Sequence, residues 1–257
     1  MPRTAREVSP SDLYHVITRG INQEYIFENN IFKNRMVKIL NEKIEKYSIE
    51  IYGYCIMDNH IHILLKAKPD VLSIFMTKVN VTFAIYYNYI KERSGYVFQN
   101  RFKSYPIESE RSFWACLRYI HNNPVKAKLV KSPQHYNWSS FSGYINNKDL
   151  ILDNKSYALM KRNFTDQDSF FKFHQETDYT LYPDIKEDTK IIKDLISEHI
   201  IQITLDKYHL KNNLELFTNK QAMKYLKDEL QTQAKLRISE INELILSLEE
   251  MGNGDGG

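Results

Sequence analysis

Cysteine is nearly absent from this 257-residue chain, which holds only Cys55 and Cys116. Neither belongs to a C-x-x-C pair, which argues against a disulfide framework or a cysteine-rich zinc site and points to a reducing, cytoplasmic setting. No apolar run reaches the roughly 18 residues of a membrane span, so no membrane partner is expected. Residues 1–10 are polar and lack the apolar stretch of a secretory leader. Glycine is scarce, with 8 in all. No glycine-rich phosphate-cradling loop occurs, so the usual signature of nucleotide hydrolysis is missing. No internal repeat is visible.

What is present is ordinary in bulk and uneven in charge. The chain is 42% hydrophobic and 26% charged, as in soluble globular proteins. Residues 1–165 hold 24 Lys and Arg against 14 Asp and Glu, a net of +10. Residues 166–257 hold 11 against 18, a net of −7. A basic first part suits a polyanion such as nucleic acid, whereas the acidic second part does not suit simple backbone binding.

Periodicity outlines the elements. Residues 12–19 alternate around Tyr14, Val16 and Thr18 as a strand does. Residues 31–47 repeat apolar side chains at helical spacing. Residues 49–57 and 60–67 read as two strands joined by the turn Met57-Asp58-Asn59. A helix is predicted over 71–93, a strand over 102–107, and a helix capped by Ser109 that Pro124 should end or kink. That order implies an α+β fold with an antiparallel sheet. After a transition zone at 133–154, residues 169–176, 186–208 and 218–249 look helical. The expected division is a catalytic domain at 1–150, a helical C-terminal extension at 151–251 and a flexible tail at 252–257.

Two constellations carry chemistry. In His60-Ile61-His62, a strand puts both imidazoles on one face and sends Ile61 and Ile63 to the other. The imidazoles can share a metal ion, although an isolated H-x-H also marks ordinary half-exposed strands. In Arg118-Tyr119-Ile120-His121-Asn122-Asn123-Pro124, a helix places Tyr119 and Asn123 on a common face. The Asn123 amide oxygen offers a third ligand. Two imidazoles and an oxygen suit Mn2+ or Mg2+, and nickel, cobalt or zinc can also occupy such a set. His121 turns away from that face and is not assigned to the metal.

Four blocks come in a telling order: residues 14–22 (Tyr-His-Val-Ile-Thr-Arg-Gly-Ile-Asn), 54–62, 98–102 and 118–127. With Trp138-Ser139-Ser140-Phe141 they resemble the REP-associated tyrosine transposases, members of the single-tyrosine HUH transposases, over residues 8–145. The resemblance implies a ferredoxin-like antiparallel sheet with helices on one side. It implies that His60, His62 and Asn123 hold a divalent metal and that Tyr119 is the nucleophile. It also implies single-stranded or hairpin DNA as substrate, cut and rejoined through a 5′-phosphotyrosine. Arg19, Arg101, Lys103 and Arg118 lie near the motifs and are candidate DNA contacts. Tyr96, Phe98 and Tyr105 can stack bases or pack in a core.

The alternative is a non-catalytic or regulatory DNA-binding protein derived from such a transposase, but it predicts a lost ligand or tyrosine and all four residues are present. A replication or conjugation initiator would carry a different motif order, and a small-molecule metallohydrolase would need more ligands. The acidic extension, where residues 217–222 can open a DNA-binding helix, fits a regulatory, packing or homodimer-forming role equally.

Overall fold

The turn at Met57-Asp58-Asn59 organises the sheet. In the computed structural model, which describes residues 7–176, 186–234 and 236–254, β2 (Glu50–Ile56) and β3 (His60–Lys66) pair antiparallel on either side of it. The Met57 N–H donates to the His60 carbonyl at 2.8 Å, and Lys33 pins Asp58 through a 2.6 Å ion pair. β1 (Leu13–Arg19) lies on the free side of β3, and β4 (Lys103–Pro106) lies beyond β1. The order β2-β3-β1-β4 is antiparallel throughout. α1 (Asn30–Tyr47) joins β1 to β2, and α2 (Pro69–Ile90) joins β3 to β4. Two strand–helix–strand units in that order make the ferredoxin-like fold expected.

Strand alternation divides the sheet into two faces. Tyr14, Val16, Ile61, Ile63 and Leu65 form one core with Phe32, Met36 and Ile39 of α1 and Phe75, Val79 and Phe83 of α2. Each such side chain contributes about 1.5–3 kcal/mol relative to exposure. Asn29 starts α1 by accepting from the Phe32 N–H.

The opposite face carries the histidines and is met by α3 (Glu110–Lys126). Ser109 caps α3, accepting from the Ser112 N–H at 3.1 Å. Gly53 lets the helix approach, because a β carbon there would stand 2.6 Å from Leu117 Cδ1. Pro124 does not stop α3, which runs two residues further. So near the end of a helix, proline forfeits only the bond from its own nitrogen, and the chain turns at Lys128 with a φ of 57° instead.

Three short helices follow: α4 (Ser140–Asn146), α5 (Asn154–Asn163) and α6 (Gln167–Gln175), each opened by a side-chain cap from Ser139, Asp153 or Asp166. The first compact unit extends through them to Asp178, past the division expected at 150. The reason is local: Ser156 of α5 donates to the Ile51 carbonyl of β2 at 2.7 Å, and Phe170 of α6 packs 5.2 Å from Phe141 of α4.

The second unit, Tyr179–Gly257, is helical. It contains α7 (Lys186–Lys207), α8 (Leu214–Thr218), α9 (Lys220–Thr232) and α10 (Ile238–Gly254). Ile196, Ile200, Leu216, Leu226, Leu230 and Ile241 are buried. The single periodic stretch read over 218–249 is two helices, because Ala234 and Leu236 are buried in the connection between them. Asn219 opens α9, accepting from the Gln221 and Ala222 N–H groups. Of the tail expected at 252–257, residues 255–257 lie outside the described residues. No described helix is long and apolar enough to cross a membrane.

Candidate active site

Register sets the site. Lys103, Ile17, His62 and Cys55 form one row across β4, β1, β3 and β2. Arg19 pairs with His60 in β1 and β3, nearer the hairpin turn. His15 stands two residues from Ile17 on the same face, beside Tyr105.

The imidazoles of His60 and His62 face each other, with their Nε2 atoms 2.8 Å apart. His60 Nδ1 donates to Asn59 Oδ1 at 2.5 Å. His62 Nδ1 is 3.1 Å from His15 Nε2. Burial pushes His60 down to about 3, helped by the nearby Arg19 charge. Burial likewise takes His15 to about 3, with His60 adding, and lowers His62 well below its ordinary value. All three are therefore neutral near pH 7. With its Nδ1 proton given to Asn59, neutral His60 presents a lone pair at Nε2. Neutral imidazole is the ligating form.

These residues fit a divalent cation. Two nitrogens about 2.1 Å from one ion at right angles stand roughly 3.0 Å apart, close to the separation seen. Among the described residues, no three His, Cys, Asp or Glu side chains gather to hold an ion. A third protein ligand would have to come from another side-chain type. Asn123 is buried on α3, and its Nδ2 has no hydrogen-bond partner.

Tyr119 lies one helical turn before Asn123. Its ring is edge-on to His62 at 5.6 Å and to His15 at 5.9 Å. Lys126 Nζ sits 4.6 Å from the ring centroid. The structure thus brings His60, His62 and Tyr119 together and buries Asn123 on the same side of α3.

Residues 10–123, which include His15, His60, His62, Tyr119 and Asn123, match the family model described as "Transposase IS200 like". Over these residues the chain is similar to the IS200-like transposases. Among solved structures it is similar to a REP-associated tyrosine transposase bound to a REP hairpin. The identity there is 14% over 61% of this chain and 96% of that one, with a TM-score of 0.49. It is also similar to a putative transposase from Deinococcus radiodurans R1, at 17% identity over 47% of this chain and 97% of that one, with a TM-score of 0.32. No curated protein matches the chain.

The candidate cationic residues separate into two kinds. Arg101 and Lys103 are exposed, and Arg19 is half-buried beside His60. Arg118 differs: its guanidinium is 2.7 Å from Glu176 Oε2 and 4.2 Å from the Phe173 ring centroid, with its side chain only 12% exposed. Its place beside Tyr119 in sequence suggested a DNA contact, but α3 turns it onto α6. Of the candidate stacking rings, Tyr96 is exposed, whereas Phe98 packs on the core 5.8 Å from Phe83.

His15 and Lys126 escaped the reading of the sequence. They stand in the sequence blocks 14–22 and 118–127. Strand alternation across the β1–β3 pairing would have pointed to His15. Heptad spacing from Tyr119 would have pointed to Lys126.

Proposed function

We propose that the first unit is a metal-dependent single-stranded DNA endonuclease and strand transferase, with Tyr119 as its nucleophile and hairpin-forming repeat DNA as its substrate. The observation that carries this reading is the facing pair His60 Nε2 and His62 Nε2, 2.8 Å apart, with the Tyr119 ring against His62.

His60, His62 and Asn123 hold a divalent ion, Mg2+ or Mn2+, which when bound supplies positive charge beside a phosphate. Asn59 and His15 orient the two imidazoles through their Nδ1 atoms, as outer partners of metal-binding histidines commonly do. Tyr119 attacks the phosphorus through its phenolic oxygen. A phenol titrates near 10, so the attack needs help, and the nearest cation described is the Lys126 ammonium, 4.6 Å from the ring centroid. The new bond is a 5′-phosphotyrosine ester, and the departing oxygen takes a proton to become a 3′-OH. The ester keeps the energy of the broken bond, so the same or another 3′-OH can displace Tyr119 and rejoin the strand. Arg19, Arg101 and Lys103 hold phosphates along this end of the sheet.

The test is incubation of the whole chain with labelled single-stranded hairpin DNA and Mn2+, followed by a denaturing gel. A covalent adduct is expected, and Tyr119→Phe should abolish it while keeping DNA affinity within about twofold, since one hydroxyl is lost and the surface is kept. An adduct that survives Tyr119→Phe sinks the assignment.

A further inference from the structure

The family match ends at residue 123, so α6 lies wholly outside it. Yet α6 grips the tyrosine helix at three places. His174 Nε2 is 2.7 Å from His121 Nδ1. The His174 carbonyl accepts from Asn122 Nδ2 at 2.9 Å. Glu176, at the end of α6, accepts from Arg118 Nη2 at 2.7 Å, and Phe173 lies under that guanidinium. The gripped residues flank Tyr119 and adjoin Asn123.

The histidine contact has a fixed direction. The Phe170 carbonyl can only accept, so His174 Nδ1 donates to it, at 2.8 Å. Neutral His174 then accepts at Nε2, and His121 Nδ1 is the donor. His121 Nε2 in turn accepts from the Ser140 hydroxyl at 2.7 Å. The Ser140 oxygen accepts from the Tyr54 N–H at 2.9 Å. One polarised line therefore runs from α6 through α3 to β2, the strand beside the histidine strand.

Such a line does what apolar packing cannot. Leu117 and Ile120 bury α3 against its neighbours, but burial is non-directional and tolerates small rotations. Hydrogen bonds weaken steeply with angle. His121 lies about 200° around the helix from Tyr119, so a hold on its far side sets where the tyrosine points.

We propose that α6 is a positioning element for the nucleophile, acting through His174 and His121 to set the rotation of α3 over His60 and His62. This rests on Tyr119 being the nucleophile. His174 touches no reacting atom.

Single-turnover cleavage of labelled hairpin DNA in Mn2+, with DNA affinity measured in parallel by fluorescence anisotropy, tests it. His174→Leu removes the acceptor that His121 needs. It should slow cleavage about 10- to 100-fold, the scale of a small misplacement of a reacting group, with DNA affinity within about twofold. His174→Gln puts an amide oxygen in reach of His121 and should restore most of the rate. Asn122→Ala, which loses one hydrogen bond, should slow cleavage about threefold.

A wild-type rate in His174→Leu overturns the proposal. So does a parallel loss of binding and rate, or a His174→Gln variant no faster than His174→Leu. Should His174→Leu fail to fold, Asn122→Ala decides, and an unchanged rate there overturns it. A wild-type chain that forms no adduct defeats the nucleophile reading and this inference with it. An active wild type with indifferent variants defeats this inference alone.

Discussion

Two buried histidine groups flank α3, and they are finished differently. Behind the helix, His121 and His174 end on partners that complete them: a backbone carbonyl at one end, a serine hydroxyl and a backbone N–H at the other. In front, Asn59 accepts from His60 Nδ1, the His60 and His62 Nε2 atoms meet, and His62 Nδ1 meets His15. Burial holds both groups neutral: His174 is pushed down to about 3, like His60. Burial and low basicity therefore do not separate a proposed ligand pair from a structural pair. What separates them is what each line holds together: serine and backbone groups tie down His121 and His174, whereas His60 and His62 bring two Nε2 atoms together beside Tyr119.

The strongest challenge to that contrast is metal binding. His62→Ala should abolish Mn2+ binding in calorimetry and lower cleavage by more than about 100-fold, beyond the range typical of outer-partner losses. His174→Gln should leave Mn2+ affinity unchanged. Equal losses in both variants would erase the distinction between the two groups.

A smaller effect sharpens it. His15→Phe keeps a ring in place but removes the nitrogen beside His62. Mn2+ affinity should fall about 10- to 100-fold with the fold retained. An unchanged affinity would show that His62 needs no orienting partner.

The smallest effect concerns acid. His174 stays neutral in the folded chain down to about 3, from an ordinary value of 6.5. Below about 6.5 the unfolded chain takes up a proton that the folded chain refuses, so stability falls as pH drops through that window. His174→Gln removes this contribution. Its thermal midpoint should decline less steeply than that of the wild type between about pH 6.5 and 4. Parallel curves would mean that His174 is charged in the fold.

Much of this was legible from the chain alone. The alternation of Ile61 and Ile63 against His60 and His62 gave the sheet face that both imidazoles share, because alternate residues of a strand point the same way. The spacing of Tyr119 and Asn123 gave the helix face. The contact of Arg118 with α6 was not legible, because nearness in sequence says nothing about direction around a helix and Glu176 lies 58 residues away. α4 and α5 went unseen because short helices carry too few turns for periodicity to show, and α6 was read as a helix at 169–176 but placed in the extension. Their signal was in the caps Ser139, Asp153 and Asp166. His15 was hidden because its role depends on a pairing across 47 positions.

Gly53 extends the point about direction to one about distance. With a side chain at that position, Leu117 would collide, and Leu117 is two residues from Tyr119. The missing methyl group works as a shim left out from under one end of a rod. The clearance over His62 depends on a strand that contributes no catalytic group. Even a change as small as Gly53→Ala would therefore register as altered chemistry before it registered as lost structure.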